Sequence, residues 1–443
     1  MKRAVITILG TIGGKFNQDL FVPITNKSQY IASENVIELV KNMYVNTLPI
    51  LIDAYPDADI IPIYTKEAKK IQEKVLEILE NKEKYIYIFD NGYEIKNENN
   101  FDEIFSIFEQ IFKKNYDEFI IDVTHGFRHL PLLLLIELLI KNFQDNSKIS
   151  KILFAKELIK ATKDRGGKYE FIDLKEYLDL ANVAFVLETF GKNYTLPLHI
   201  NLSGEFEELT KALEKFSEDI MVLNIESLFK NAVPNLITEL KKINKPSIKN
   251  QVEDIIMHLE KIFTYKGKRR FRTYYNIAFE LKEKGYLLNS LTLLYESVRL
   301  FLKAFLEYKH PEIMRKVEKF YKKDDYKIGD FCMNKVFNVN PKNKEKVNNN
   351  YQNEMRKFLT LEEYKKIVEA IPFEEFKKWD DCIYDKKNKK NNLFNCISFA
   401  RNNFAHANKD NDFKKVKENI DHLFVKFKEK IDKYEPYLYK GNK

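Results

Sequence analysis

Near the end of the chain, the segment "RNNFAH" (401–406) gathers an arginine, two amides and a histidine within two helical turns. Placed on a helical wheel at about 100° per residue, Leu393, Cys396, Ile397, Ala400, Phe404 and Ala407 form one stripe, which predicts the buried face. Asn402 and His406 are four apart and share the opposite face, with Arg401 at its edge. Histidine titrates near neutral pH and suits general acid or base work. Arginine holds a phosphate and stabilises charge on a pentacoordinate transition state. RNA supplies its own nucleophile, the 2′-hydroxyl, so these groups can cleave it without a metal. A proton must be both removed and delivered, which two copies facing across a two-fold axis would do better than one. The plainer alternative is a surface arginine beside an unrelated exposed histidine.

A second polar cluster, "DVTHGFRH" (122–129), sits far upstream. Asp122 ends an apolar run, Thr124, His125 and Gly126 form a turn, and Arg128 and His129 lead into a helix with Pro131 in its first turn. The crevice at strand C-termini is where open α/β sheets bind ligands, and helix N-termini favour phosphate. Arg128 adds a bidentate donor. His125 and His129 have the four-residue spacing of some metal pairs, but no third ligand is near and no metal is expected. A purely structural turn is the alternative. "LGTIGG" (9–14) directly follows the first apolar run. Its glycines let the backbone approach a ligand, and exposed N–H groups there can hold a phosphate. The spacing is neither of the common glycine-rich phosphate motifs, so a tight strand-to-helix turn is equally open.

The elements that must position these clusters divide in two. Strands are predicted at 3–9, 59–64, 119–123, 151–155 and 169–173, a hairpin with an Asn-Gly turn at 86–95, and a helix at 65–81. Alternating strands and helices predict a doubly wound α/β domain over residues 1–175. Beyond it strand signals nearly vanish. Helices are predicted at 174–190, 205–223, 286–306 and 412–432, with "NKPSIKN" (244–250) as a linker. The organisation expected is an α/β domain (1–175), a helical connector (176–265) and an all-α domain (266–443). The basic run "KGKRRFR" (266–272), interleaved with aromatics, is either an RNA guide or a solvated linker. The Lys- and Asn-rich tracts 340–354 and 385–392 read as solvated loops.

Composition sets limits. Of 443 residues, 44% are hydrophobic, including 34 phenylalanines, which supplies ample core and argues against disorder. The net charge of +8 permits a polyanionic partner without requiring one. Cys332, Cys382 and Cys396 are scattered and odd in number and show no zinc spacing; no disulfide framework is expected and a reducing cytosol is the default. The apolar stretch after the initial Met-Lys-Arg is too short for a signal peptide. "LPLLLLIELLI" (130–140) is interrupted by Glu137 and falls short of the ~20 residues of a membrane span.

Together the two clusters resemble a known family. "DVTHG" (122–126) resembles the D-x-T-H-G signature of a group of CRISPR-associated proteins, and "RNNFAH" resembles the R-x4-H signature of HEPN ribonucleases. Their order resembles that of a Rossmann-like CARF sensor domain followed by an all-α HEPN domain. The resemblance implies an ancillary nuclease of type III CRISPR defence. A CARF dimer binds a cyclic oligoadenylate messenger, with tetra-adenylate favoured over hexa-adenylate, and activates a HEPN dimer that cuts single-stranded RNA without metal or cofactor. It implies a catalytic role for Arg401, Asn402 and His406. It implies messenger contacts for Gly10, Thr11, Asp122, Thr124, His125, Gly126 and Arg128, with Thr65 a looser addition. A homodimer, with further assembly left open, is the implied state. Two other readings stay open: a CARF-based regulator without nuclease activity, and a ring nuclease that degrades its own messenger.

Overall fold

The computed structural model describes residues 2–24, 26–78, 87–126, 129–144, 148–162, 165–197, 202, 204–263, 270–339, 341–371, 393–405 and 413–438. The chain divides into two compact units. One is Met1–Gly191 with Thr195–Lys211; the other is Lys192–Tyr194 with Ala212–Lys443.

The first unit is built on β1 (Arg3–Ile8), β2 (Gly14–Asn17), β3 (Leu20–Pro23), β4 (Ser28–Ile31), β5 (Met43–Tyr44), β6 (Asp59–Tyr64), β7 (Tyr93–Glu94), β8 (Glu118–Asp122), β9 (Ile149–Ile159) and β10 (Lys168–Asp173). Its main sheet runs β5-β4-β10-β9-β8-β1-β6-β7, and β2 pairs with β3 in a separate hairpin. The centre, from β9 through β8 and β1 to β6 and β7, is parallel. Strand β10 returns antiparallel to β9, which makes the sheet mixed. Helices α1 (Thr47–Ala54), α2 (Lys66–Glu77), α3 (Phe101–Phe112) and α4 (His129–Gln144) cover it. Successive side chains of β1 go to opposite faces, as strand geometry requires. Ala4, Ile6 and Ile8 share a core with Phe108 and Ile111 of α3 and Leu134 and Leu138 of α4. Val5 and Leu9 share the other with Leu48 and Leu51 of α1 and Ala68 and Leu76 of α2. Cover on both faces is why β1 and β8 read as unbroken apolar runs.

The predicted hairpin at 86–95 is corrected. Ile88–Asn91 form a 3-10 turn, Gly92 has an extended φ of −88°, and β7 pairs parallel with the end of β6. A Cβ on Gly92 would lie 2.6 Å from the Tyr64 ring, so close packing, not a left-handed turn, explains the glycine. The segment after β1 also differs: it enters the β2–β3 hairpin, not a helix.

The second unit is helical. Helices α5 (Lys175–Asn193) and α6 (Glu207–Met221) lead into it. They are followed by α7 (Val233–Lys242), α8 (Lys249–Phe263), α9 (Arg270–Glu283), α10 (Leu287–Lys309), α11 (Pro311–Phe320), α12 (Lys344–Asn353), α13 (Leu361–Glu369), α14 (Leu393–Ala405) and α15 (Phe413–Leu438). "NKPSIKN" is a short turn, Pro246–Ile248, running directly into α8 inside this unit, not a linker. Part of the expected loop 340–354 is α12, because Asn343 caps it by accepting from the Lys346 N–H at 2.9 Å. Tracts 264–269 and 385–392 lie outside the described residues. Cys332 is free and buried, but Cys396 is disulfide-bonded, against the expectation above. Sequence spacing carries no trace of the Cβ proximity a disulfide needs.

Buried serines let α9 and α10 approach closely: Ser290 donates to the Ala278 carbonyl at 2.8 Å and Ser297 to the Phe271 carbonyl at 2.7 Å. Arg272 of α9 ties to Glu435 of α15 at 2.6 Å and to Asp432. Residues just past α5 are fixed by a polar hub. Tyr194 is fully buried with a left-handed φ of +56°. Its hydroxyl lies 2.6 Å from His258 Nε2, which lies 3.4 Å from Glu280 Oε1. Lys284 Nζ sits 4.2 Å over the Tyr194 ring and 3.2 Å from Glu280. Burial pushes the Glu280 carboxyl up, but the His258 hydrogen bond and the neighbouring positive charges hold it below its ordinary 4.5.

A depressed folded-state pKa stabilises above the unfolded value, and that contribution is lost as pH falls through the folded one. Glu280→Gln should therefore lower the melting temperature by about 4 °C or more at pH 7. The difference from the parent chain should shrink between about pH 5 and pH 3, as thermal melts at each pH would show.

Candidate functional site

The polar cluster of the α/β unit is organised around Asp122. It is the last residue of β8, pairs across the sheet with Thr7 of β1, and is fully buried. Its Oδ2 accepts from Thr7 Oγ1 at 2.9 Å and from Thr47 Oγ1 at 3.3 Å. Its Oδ1 accepts from the Thr124 N–H at 3.1 Å and from the Thr124 hydroxyl. The Thr124 hydroxyl in turn accepts from the Ala155 N–H of β9 at 2.9 Å. The aspartate and threonine of "DVTHG" thus place the turn, and the residues after them are left at the sheet edge.

There Gly126 adopts φ +107°, and a Cβ on it would lie 2.5 Å from Ile8 Cγ2, so only glycine fits. His125 Nε2 is buried without a hydrogen-bond partner. Burial pushes the imidazole pKa down, opposed by the Asp122 charge, so the ring is neutral at pH 7. Gly10 meets this turn directly: a Cβ there would lie 3.3 Å from the Gly126 nitrogen and 3.6 Å from His125 Cβ. The two glycine-containing loops are therefore in contact, and Thr11 stands exposed beside them. Thr65 occupies the corresponding edge after β6, where its hydroxyl caps α2 by accepting from the Ala68 N–H at 3.3 Å. His129 faces elsewhere, with Nε2 3.0 Å from the Glu98 carbonyl. Arg128 lies outside the described residues.

Two residues that sequence reading missed shape the first loop. Gln72 Nε2 donates to the carbonyls of Gly10 and Ile12, both at 2.8 Å. Asn46 Nδ2 donates to the Ile12 carbonyl at 2.8 Å and to Gln72 Oε1 at 2.9 Å. Both amides are buried. The available signal was Gln72 itself, a polar residue on the Ala68–Ile71–Val75 stripe of α2. Among the described residues no three His, Cys, Asp or Glu side chains gather as a metal ion would need.

In the helical unit, α14 packs against α10 and α15 with Leu393, Cys396, Ile397 and Ala400 buried. Arg401 is half-exposed and Asn402 exposed, as the helical wheel predicts. Arg401 donates from Nη2 to Asn402 Oδ1 at 3.0 Å, and its guanidinium carbon lies 5.1 Å from the centroid of the Tyr295 ring. No carboxylate among the described residues pairs with it, whereas Arg270, Arg272 and Arg299 each hold one. His406 lies outside the described residues.

Asp122→Ala should strand the Thr7 and Thr47 hydroxyls and destabilise the α/β unit by about 3 kcal/mol. Thr11→Ala, at an exposed position, should change stability by less than about 0.5 kcal/mol. Urea denaturation of both variants would check the contrast.

Residues 18–157 match the family model of the CARF domain of the CRISPR system endoribonuclease Csx1. No curated protein matches the chain. Among solved structures, the chain is similar to Enterococcus italicus Csm6 bound to cyclic hexa-2′-fluoro-hexa-dAMP. That likeness has 12% identity and a TM-score of 0.36, and it covers 99% of this chain and 95% of that chain. No helix among the described residues is long and apolar enough to cross a membrane. The α/β unit, with its mixed sheet and its two joined loops, carries a CARF domain.

Proposed function

We propose that this chain is a cytoplasmic, messenger-activated endoribonuclease of type III CRISPR defence. A cyclic oligoadenylate, tetra-adenylate in preference to hexa-adenylate, docks on the CARF domain at Gly10, Thr11, His125 and Gly126, with Arg128 for its phosphates. Asp122 and Thr124 hold these groups in place, and Thr65 lies at the rim. Residues 266–443 are the HEPN nuclease domain, with 176–265 as the connector.

The observation that carries the nuclease reading is Arg401: a half-exposed cation with no carboxylate partner among the described residues, beside exposed Asn402 on a helix whose other face is buried. Such a group is free to take a phosphate. In the proposed reaction, His406 draws the proton from the RNA 2′-hydroxyl. The oxygen attacks the adjacent phosphorus, Arg401 and Asn402 offset the charge that develops, and the 5′-oxygen leaves with a proton from the second copy's histidine. Self-association is supported by α4, which leaves Leu132, Ile136 and Ile140 exposed by 61%, 47% and 46% at four-residue spacing. That stripe starts directly after the messenger loop, so a two-fold axis there brings two loops to one cyclic ligand.

The test is cleavage of single-stranded RNA in EDTA, with and without cyclic tetra- or hexa-adenylate. Arg401→Ala and His406→Ala should each lower the activated rate at least about 100-fold. Intact cleavage in either variant contradicts the reading.

A further inference from the structure

We propose that Tyr295 is a positioning residue for RNA cleavage: its ring holds the Arg401 guanidinium in place without cancelling its charge. The inference rests on the nuclease reading above and adds a group to it. Tyr295 lies on α10, the helix against which α14 packs, and is half-buried. Arg401 is held on one side by this ring, 5.1 Å from its centroid, and on another by Asn402 Oδ1, 3.0 Å from Nη2 and 3.3 Å from Nε. Both partners are neutral. A carboxylate in either place would fix the arginine more strongly, but it would compete with phosphate for the same donors. An aromatic face restrains a cation by its quadrupole and leaves the N–H fork available.

Tyr295 is also approached by Arg299, one turn further along α10. Arg299 is 4% exposed, pairs with Glu296 at 2.7 Å, and donates to the Tyr326 carbonyl. Its guanidinium carbon lies 4.3 Å from the Tyr326 centroid and 6.0 Å from that of Tyr295. Gly329 lets the short helix Asp325–Asp330 approach: a Cβ there would come within 3.3 Å of Arg299 Nε. Both guanidinium groups thus lie within 6.0 Å of the Tyr295 ring centroid, Arg401 at 5.1 Å and the buried Arg299 at 6.0 Å. Burial raises the Tyr295 pKa against the opposing charges of Arg299 and Arg401, so its hydroxyl stays protonated. The ring, not a phenolate, is what Arg401 meets.

The experiment uses the full chain with its activator in EDTA. It measures the single-turnover cleavage rate and, separately, affinity for a non-cleavable 2′-deoxy-substituted strand. Tyr295→Leu and Tyr295→Met, two non-aromatic side chains of different shape, should each slow cleavage about tenfold or more. Affinity for the strand should change less than about threefold, and Tyr295→Phe should restore most of the rate. In an Arg401→Ala background, Tyr295→Leu should cause no further loss, because the tyrosine acts through the arginine. Full-rate cleavage by both non-aromatic variants overturns the proposal. So does an equal loss in the presence and absence of Arg401, which would mark a purely structural residue. Full-rate cleavage by Arg401→Ala alone would instead overturn the nuclease reading on which the proposal rests.

Discussion

Asp122 is a carboxylate with no exposed surface, set at the end of a central strand. A charge in that position is tolerated only if its oxygens are fully occupied. Here they are occupied by groups from three elements: Thr7 on β1, Thr47 at the start of α1, and Thr124 in its own turn. Thr124 then reaches β9. One buried anion therefore fixes the relative placement of two neighbouring strands, a helix start and the loop carrying His125 and Gly126. The first glycine loop joins by contact with that turn and is held from behind by Gln72 and Asn46. His125, Gly126 and Gly10 sit on loops at the sheet edge, but their positions are set by buried polar groups behind them.

The helical unit meets a similar demand by another route. Several of its cations are neutralised in pairs, such as Arg272 with Glu435 and Lys303 with Asp325. Arg401 is the contrast, restrained by a ring and an amide and left without a countercharge among the described residues. Retaining an unneutralised cation is what anion chemistry asks for, and the surrounding helices make it tolerable by leaving it half-exposed. Chain continuity between the two units runs through α5 and α6, and the Tyr194–His258–Glu280 hub fixes the residues that follow α5.

Much of this was legible in the sequence, for identifiable reasons. The central strands could be read because cover on both faces makes them continuously apolar, as in "RAVITI" and "EFIID". The buried stripe of α14 followed from three- and four-residue spacing, and it correctly set Arg401 and Asn402 away from the core. Most of what failed depended on tertiary contact. The Asn-Gly pair at 91–92 has the local chemistry of a turn, but packing against Tyr64 and parallel pairing to β6 override it. The helix at 344–353 was hidden by its composition and revealed by one cap. The inward role of Asp122, the loop-holding of Gln72 and the contact of Tyr295 with Arg401 join residues distant in the chain, which no local pattern encodes.

The central claim is that a signal received by the α/β unit governs chemistry in the helical unit. The most direct measurement is a single titration of cyclic tetra-adenylate, following messenger binding and RNA cleavage in the same samples without metal. The account predicts that cleavage rises from a low basal level and that the two curves share a midpoint. Cleavage that ignores the messenger, or saturated binding that leaves cleavage unchanged, would contradict it.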